Sequence, residues 1–156
     1  VTDSVRQLVR DTGYPGMKVL EFAFDSRDTG SANDYLPHNY PENSVVYTGT
    51  HDNETLTGWF EGILPQERQM VRNYLNNHRD SDKEIYWDMV CTAMQSVSKL
   101  CVIPIQDYLG YGNEARMNQP STLGENWKWR LKKGELSEEL IQKIKNITMW
   151  YGRYYG

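Results

Sequence analysis

Three short segments of the chain are rich in apolar side chains and are bounded by polar residues. They cover residues 17–24, 45–47 and 100–105. Short runs of β-branched and aromatic residues are typical of strands that are covered on both faces of a sheet. We therefore predict three buried strands. The third must end or bulge at Pro104, because proline cannot donate a hydrogen bond to a strand ladder.

Amphipathic segments separate these strands. Apolar side chains recur at helical spacing in five segments, which are residues 1–12, 54–62, 65–76, 83–97 and the stretch that follows Ser137. Ser137 is a predicted N-cap, because Glu138 and Glu139 occupy the first turn after it. Strands that alternate with helices are typical of a parallel sheet, so the predicted fold class is α/β.

Polar side chains follow each predicted strand at the point where it ends. The groups are Phe24-Asp25, His51-Asp52-Asn53 and Gln106-Asp107. Because the carboxyl ends of parallel strands meet at one edge of a sheet, we expect these groups to share one site there. The long polar loop 25–43 also follows a strand end, and its length favours a functional role. The alternative for Asp52 and Asn53 is that one of them only caps the next helix.

Composition excludes several functional classes. The chain has 156 residues and a formal net charge of -4, which argues against binding to nucleic acid or to an anionic membrane surface. No apolar run is long enough to span a membrane. The two cysteines, Cys91 and Cys101, form no metal or redox motif, so we expect free thiols in a cytoplasmic protein.

The remaining chemistry is that of carboxylate, imidazole, amide and aromatic groups. The three histidines, His38, His51 and His78, have no metal-ligand spacing, and neither a phosphate loop nor a nucleophile elbow is present. We therefore expect no metal and no cofactor. The mixture fits carbohydrate recognition and acid–base glycosyl chemistry, which in retaining enzymes uses two carboxyl groups about 5–5.5 Å apart.

Several sequence blocks, in order along the chain, resemble the C-terminal part of the 4-α-glucanotransferases. This family is glycoside hydrolase family 77, which contains the amylomaltases and disproportionating enzymes. The blocks are residues 16–24, 36–40, 46–53, 104–110, 115–120 and 126–130. The combination of these blocks in this order makes the resemblance specific.

The resemblance implies the last part of a (β/α)₈ TIM barrel of the α-amylase clan, with residues 1–156 as its C-terminal portion. It implies transfer of α-1,4-glucan segments between maltooligosaccharides by a retaining double displacement. Asp52 matches the family's transition-state stabiliser, and His51 beside it would bind the sugar. Phe24 matches an aromatic residue near the acceptor subsite, and Asn118 matches a polar contact to bound glucan. His38 and Asn39 fit loop-shaping and sugar contact equally well.

The family's nucleophile and its general acid/base are expected upstream of this segment. The resemblance therefore implies that the chain alone is inactive and needs the N-terminal part of the same enzyme as its partner. Two alternatives stay open. One is a non-catalytic carbohydrate-binding module that uses Trp127 and Trp129, and the other is an assembly fragment whose open sheet edge pairs with a second copy.

Overall fold

The computed structural model describes residues 1–27 and 31–155, so residues 28–30 of the predicted long loop lie outside the described part of the chain. Three parallel strands form one sheet in the order β1 (Gly16–Val19), β2 (Ser44–Tyr47) and β3 (Leu100–Val102). In the register, Val46 of β2 lies between Lys18 and Cys101. The predicted class, α/β with about three parallel strands, is confirmed.

Helices cover most of the predicted amphipathic segments. They are α1 (Asp3–Thr12), α2 (Leu56–Gly62), α3 (Pro65–Leu75), α4 (Ile85–Gln95), α5 (Ile105–Leu109) and α6 (Glu138–Trp150). Short 3₁₀ helices occupy Leu20–Phe24, Ser31–Tyr35, Pro37–Asn39 and Asn113–Ala115. The side chain of Ser137 accepts a hydrogen bond from the amide of Leu140, so the predicted cap of the last helix is confirmed.

Two of the predicted strands are shorter than expected. The first stops at Val19, and residues Leu20–Phe24 continue as a 3₁₀ helix. A short apolar run cannot be assigned to strand or helix by periodicity alone, and here the tertiary packing decides. The third strand stops at Val102, and Pro104 then serves as the N-cap of α5. Gln106 and Asp107 therefore lie on a helix instead of a strand end.

The hydrophobic core lies between the sheet and helices α2 and α4. Val46 on the central strand is fully buried, and α4 contributes Met89, Val90 and Ala93. By contrast, Met17 on β1 and Leu100 on β3 are exposed. The core thus supports the central strand, whose carboxyl end carries the His51–Asp52 segment. Within the described residues, no helix has the length and apolar character needed to cross a membrane.

Candidate functional site

The turn that follows β2 is held by its own side chains. The Asn53 carboxamide oxygen accepts hydrogen bonds from both the amide and the hydroxyl of Thr50, each at 2.8 Å. The amide of Asp52 donates to the Thr50 hydroxyl oxygen at 3.3 Å. The cap of α2 is Thr55, whose side chain accepts from the amide of Gly58. The interpretation of Asp52 or Asn53 as a mere helix cap is therefore wrong.

Asp52 is the point at which three of the predicted site residues meet. Its Oδ1 accepts a hydrogen bond from Asn118 Nδ2 at 2.7 Å and lies 3.3 Å from His51 Nε2. The backbone amide of Asn118 also donates to the carbonyl oxygen of His51 at 3.1 Å. The Asp52 side chain is 48% exposed, so its carboxylate is oriented by the protein and still open to a ligand.

Arg116 links the two segments that form this cluster. Its guanidinium donates to the carbonyl oxygen of Asp52 at 2.7 Å and to that of Asn118 at 3.0 Å. Bonds from one planar, permanently charged group to two carbonyl oxygens fix the relative position of the segments. Sequence reasoning assigned Arg116 no role. The only available signal was its place two residues before Asn118 in the 115–120 block.

The indole ring of Trp127 packs beside the imidazole ring of His51. Their ring centroids are 5.2 Å apart, and the indole is 53% exposed. The backbone of Trp127 has φ of 62°, which is unusual for a residue with a side chain, and its amide donates to the carbonyl oxygen of Met117 at 2.7 Å. Together with Arg116, these residues line a cavity of about 210 Å³.

Asp107 is a buried carboxyl group that lines the same cavity as His51 and Arg116. It is 2% exposed, and its carboxylate accepts hydrogen bonds from the Thr48 hydroxyl at 2.6 Å and from the Leu56 amide at 2.8 Å. Burial raises the pKa of Asp107 to about 6, although these two donors favour the ionised form. Gln106 is also buried and donates to the carbonyl oxygen of Ala115. Both residues line the same cavity as His51 and Asn53, so the expectation that Gln106-Asp107 shares a site with the turn after β2 agrees with the structure, in which both side chains are buried in the cavity wall.

Phe24 lies away from the Asp52 cluster. Its ring is 3% exposed and packs against Trp59 and Tyr74, with centroids 6.0 Å and 5.8 Å away. Its assignment as an acceptor-side contact stays a prediction.

In the loop before β2, His38 Nδ1 lies 3.0 Å from the Tyr74 hydroxyl, and Asn39 donates to the carbonyl oxygen of Asn33. These contacts favour loop-shaping roles for His38 and Asn39.

The site combines a half-exposed carboxylate, an imidazole, an amide and an indole. Such groups can bind sugar hydroxyls and stabilise a developing positive charge. In residues 1–27 and 31–155, no cluster of His, Cys, Asp or Glu has the composition to hold a metal ion. A parallel α/β fold with these groups at the carboxyl end of its central strand has the arrangement of α/β enzymes that keep their chemistry at that edge.

Comparison with known proteins defines the family. A family profile described as 4-alpha-glucanotransferase, glycoside hydrolase family 77, matches residues 1–137. The chain belongs to this family, as the resemblance indicated. It is 42% identical over 155 residues to the 4-alpha-glucanotransferase of Clostridium butyricum, which covers 98% of this chain and 31% of that protein. It is 46% identical over 144 residues to the Thermus thermophilus enzyme, which covers 89% of this chain and 28% of the relative.

Solved structures agree with this assignment. An amylomaltase from Streptococcus agalactiae, determined in complex with acarbose, matches with a TM-score of 0.90 and 35% identity over 99% of this chain and 30% of its own. A Corynebacterium glutamicum amylomaltase, at 16% identity and a TM-score of 0.62, supports the fold alone. The chain thus spans about 30% of the length of the relatives it matches.

Proposed function

We propose that residues 1–156 are the C-terminal portion of the (β/α)₈ catalytic barrel of a 4-α-glucanotransferase and that Asp52 is its transition-state stabiliser. The observation that carries this proposal is the orientation of Asp52 Oδ1 by Asn118, at 2.7 Å, with His51 Nε2 3.3 Å away. The carboxylate is contacted by the adjacent His51 and by Asn118, which lies 66 residues further along the chain. About half of the Asp52 side chain, 48%, is exposed to solvent.

The proposed reaction is a double displacement with retention at the anomeric carbon. A carboxylate nucleophile forms a glycosyl-enzyme intermediate through an oxocarbenium-like transition state, and a general acid protonates the leaving sugar oxygen. The acceptor hydroxyl then attacks, and the same acid/base residue removes its proton. In this proposal both of those residues come from the part of the enzyme that precedes this segment. Asp52 supplies a negative charge that stabilises the cationic sugar in both steps.

His51 and Asn118 are proposed to bind and orient the donor glucan. Both touch the carboxylate of Asp52, so a sugar hydroxyl that accepts from or donates to them is positioned relative to that carboxylate. Phe24 is retained as the aromatic residue proposed near the acceptor. The proposed substrates are maltooligosaccharides and other α-1,4-glucans. We place the enzyme in the cytoplasm, in starch or glycogen metabolism, with no metal or cofactor.

The test joins this chain behind the preceding part of the Clostridium butyricum relative, which is 42% identical to it. Incubation with maltotriose is expected to give glucose and a ladder of longer maltooligosaccharides, and the unjoined chain is expected to give neither. Asp52→Asn in the joined enzyme should lower kcat by about 10²–10³-fold, as for loss of one preorganised electrostatic group.

Asp80→Asn is the matched control, because Asp80 is an exposed aspartate outside the site. Its joined enzyme should transfer glucan at the rate of the unsubstituted one. A ladder from the unjoined chain, or full activity in Asp52→Asn, would contradict the proposal.

A second candidate is glucan binding without catalysis, which the exposed indole of Trp127 beside His51 favours. Isothermal titration of the unjoined chain with maltoheptaose tests it. Binding that is lost in Trp127→Ala would support this second function, whether or not the joined enzyme is active.

A further inference from the structure

Glu21 is a buried carboxyl group behind the turn that carries Asp52. It lies in the 3₁₀ helix that follows β1, is 5% exposed, and its amide donates to the carbonyl oxygen of Thr48 at 3.2 Å. Among the described residues, its Oε2 atom has no hydrogen-bond partner. This oxygen lies so close to Gly49 that a Cβ at position 49 would collide with it.

The Oε2 atom of Glu21 is also close to the turn formed by residues 49–53. A Cβ on Gly49 would also lie 3.4 Å from the Cβ of Asn53, the residue whose carboxamide closes the turn around Thr50. The carboxyl group of Glu21 and the 49–53 turn are thus in contact through Gly49.

The charges around Glu21 are mostly negative. Asp107 faces it from α5, Glu54 from the segment before α2, and Arg116 is the cation that acts on it. Asp107 has two donors for its ionised form, the Thr48 hydroxyl and the Leu56 amide. Glu21 has no donor on Oε2. Protonation is therefore more favourable for the buried carboxyl group of Glu21 than for that of Asp107.

We propose that Glu21 holds a proton at neutral pH and that, as an uncharged carboxylic acid, it positions the turn that carries Asp52. Burial, together with Asp107 and Glu54, raises the pKa of Glu21 well above its usual value, which agrees with this assignment. Ionisation would leave an unsolvated carboxylate against Gly49 and beside Asp107. The turn would then move to admit water, and Asp52 would move with it. The relevance of this movement to glucan transfer rests on the proposed function, but the protonation state does not.

The first measurement is the chemical shift of the Glu21 side-chain carboxyl carbon in the labelled 156-residue chain, followed from pH 5 to alkaline pH. We expect the shift of a protonated acid at neutral pH. We expect the backbone amide of Asp52 to change shift along the same titration curve, and this change to disappear in Glu21→Gln. An ionised Glu21 at neutral pH would overturn the proposal. The positioning role would be overturned if the chemical shift of the Asp52 amide did not change as Glu21 titrates.

The second measurement is the folding equilibrium constant of Glu21→Gln relative to the wild-type chain, between pH 6.5 and 7.5. In this range the unfolded chain has released the Glu21 proton, while the folded chain keeps it. The folding equilibrium constant of Glu21→Gln, divided by that of the wild-type chain, should therefore rise with pH, by at most about tenfold per pH unit. A ratio that stays flat would overturn the proposal.

Glu61→Gln provides the control, because Glu61 is an exposed glutamate on α2. Its ratio to wild type should not change with pH. None of these readouts requires transferase activity, so failure of the proposed function and failure of the Glu21 assignment can be told apart.

Discussion

Replacement of Asp107 is the strongest test of how the core supports the site. Asp107→Ala removes the acceptor of two buried donors, the Leu56 amide and the Thr48 hydroxyl. A buried donor that is left without a partner costs about 1–3 kcal/mol, so the expected loss is about 2–6 kcal/mol of unfolding free energy. Urea unfolding of the chain, followed by tryptophan fluorescence, measures it.

Asp107→Asn separates the loss of hydrogen bonds from the loss of charge. The carboxamide oxygen can accept from the Leu56 amide, and the Thr48 hydroxyl can rotate to accept from the carboxamide nitrogen. Asparagine also resembles the protonated acid in shape. We therefore expect Asp107→Asn to be within about 1.5 kcal/mol of wild type at about pH 4, where the folded chain keeps the Asp107 proton. The reasoning would be refuted if Asp107→Asn were as unstable as Asp107→Ala.

The pH dependence gives an independent check on the same residue. The pKa of Asp107 rises from its usual 3.8 to about 6 in the folded chain. Between these values the folded chain keeps a proton that the unfolded chain has released, so stability falls as the pH rises from about 4 to about 6. The fall attributable to Asp107 is about 3 kcal/mol, at about 1.4 kcal/mol per pKa unit. It should therefore appear as the difference between the stability curves of wild type and Asp107→Asn, and two curves that fall in parallel would refute the assignment.

Three further predictions concern the turn, the site and the last helix. Gly49→Ala should lower the unfolding free energy by about 1–3 kcal/mol, because the added Cβ collides with Glu21; equal urea midpoints would contradict this. Asn118→Leu in the joined enzyme should lower kcat/KM by about tenfold, because Asp52 loses a hydrogen bond worth about 1.4 kcal/mol; unchanged maltotriose kinetics would argue against the orienting role. Ser137→Ala should cost about 0.5–2 kcal/mol in urea unfolding, and Ser137→Asp should restore most of it.

Local sequence patterns determined the fold class and most helices. Apolar side chains at helical spacing predicted α1, α3, α4 and α6 to within a few residues, because one face of each helix must be apolar to pack. The Ser137 cap was also predictable, since a cap depends on neighbouring residues. The ordered blocks predicted the family, which the comparisons confirmed.

The tertiary structure alone decided which polar residues share the site. Asp52 and Asn118 are 66 residues apart in sequence and meet through a direct hydrogen bond, while Asp107, at a predicted strand end, is buried. Residues 20–24, predicted as a strand, form a 3₁₀ helix in the structure, and in this helix the Glu21 carboxyl group lies close to Gly49. The physical reason is that periodicity reports which face of an element is apolar. The burial and partner of a single carboxyl group depend on contacts between distant segments, which no local pattern records.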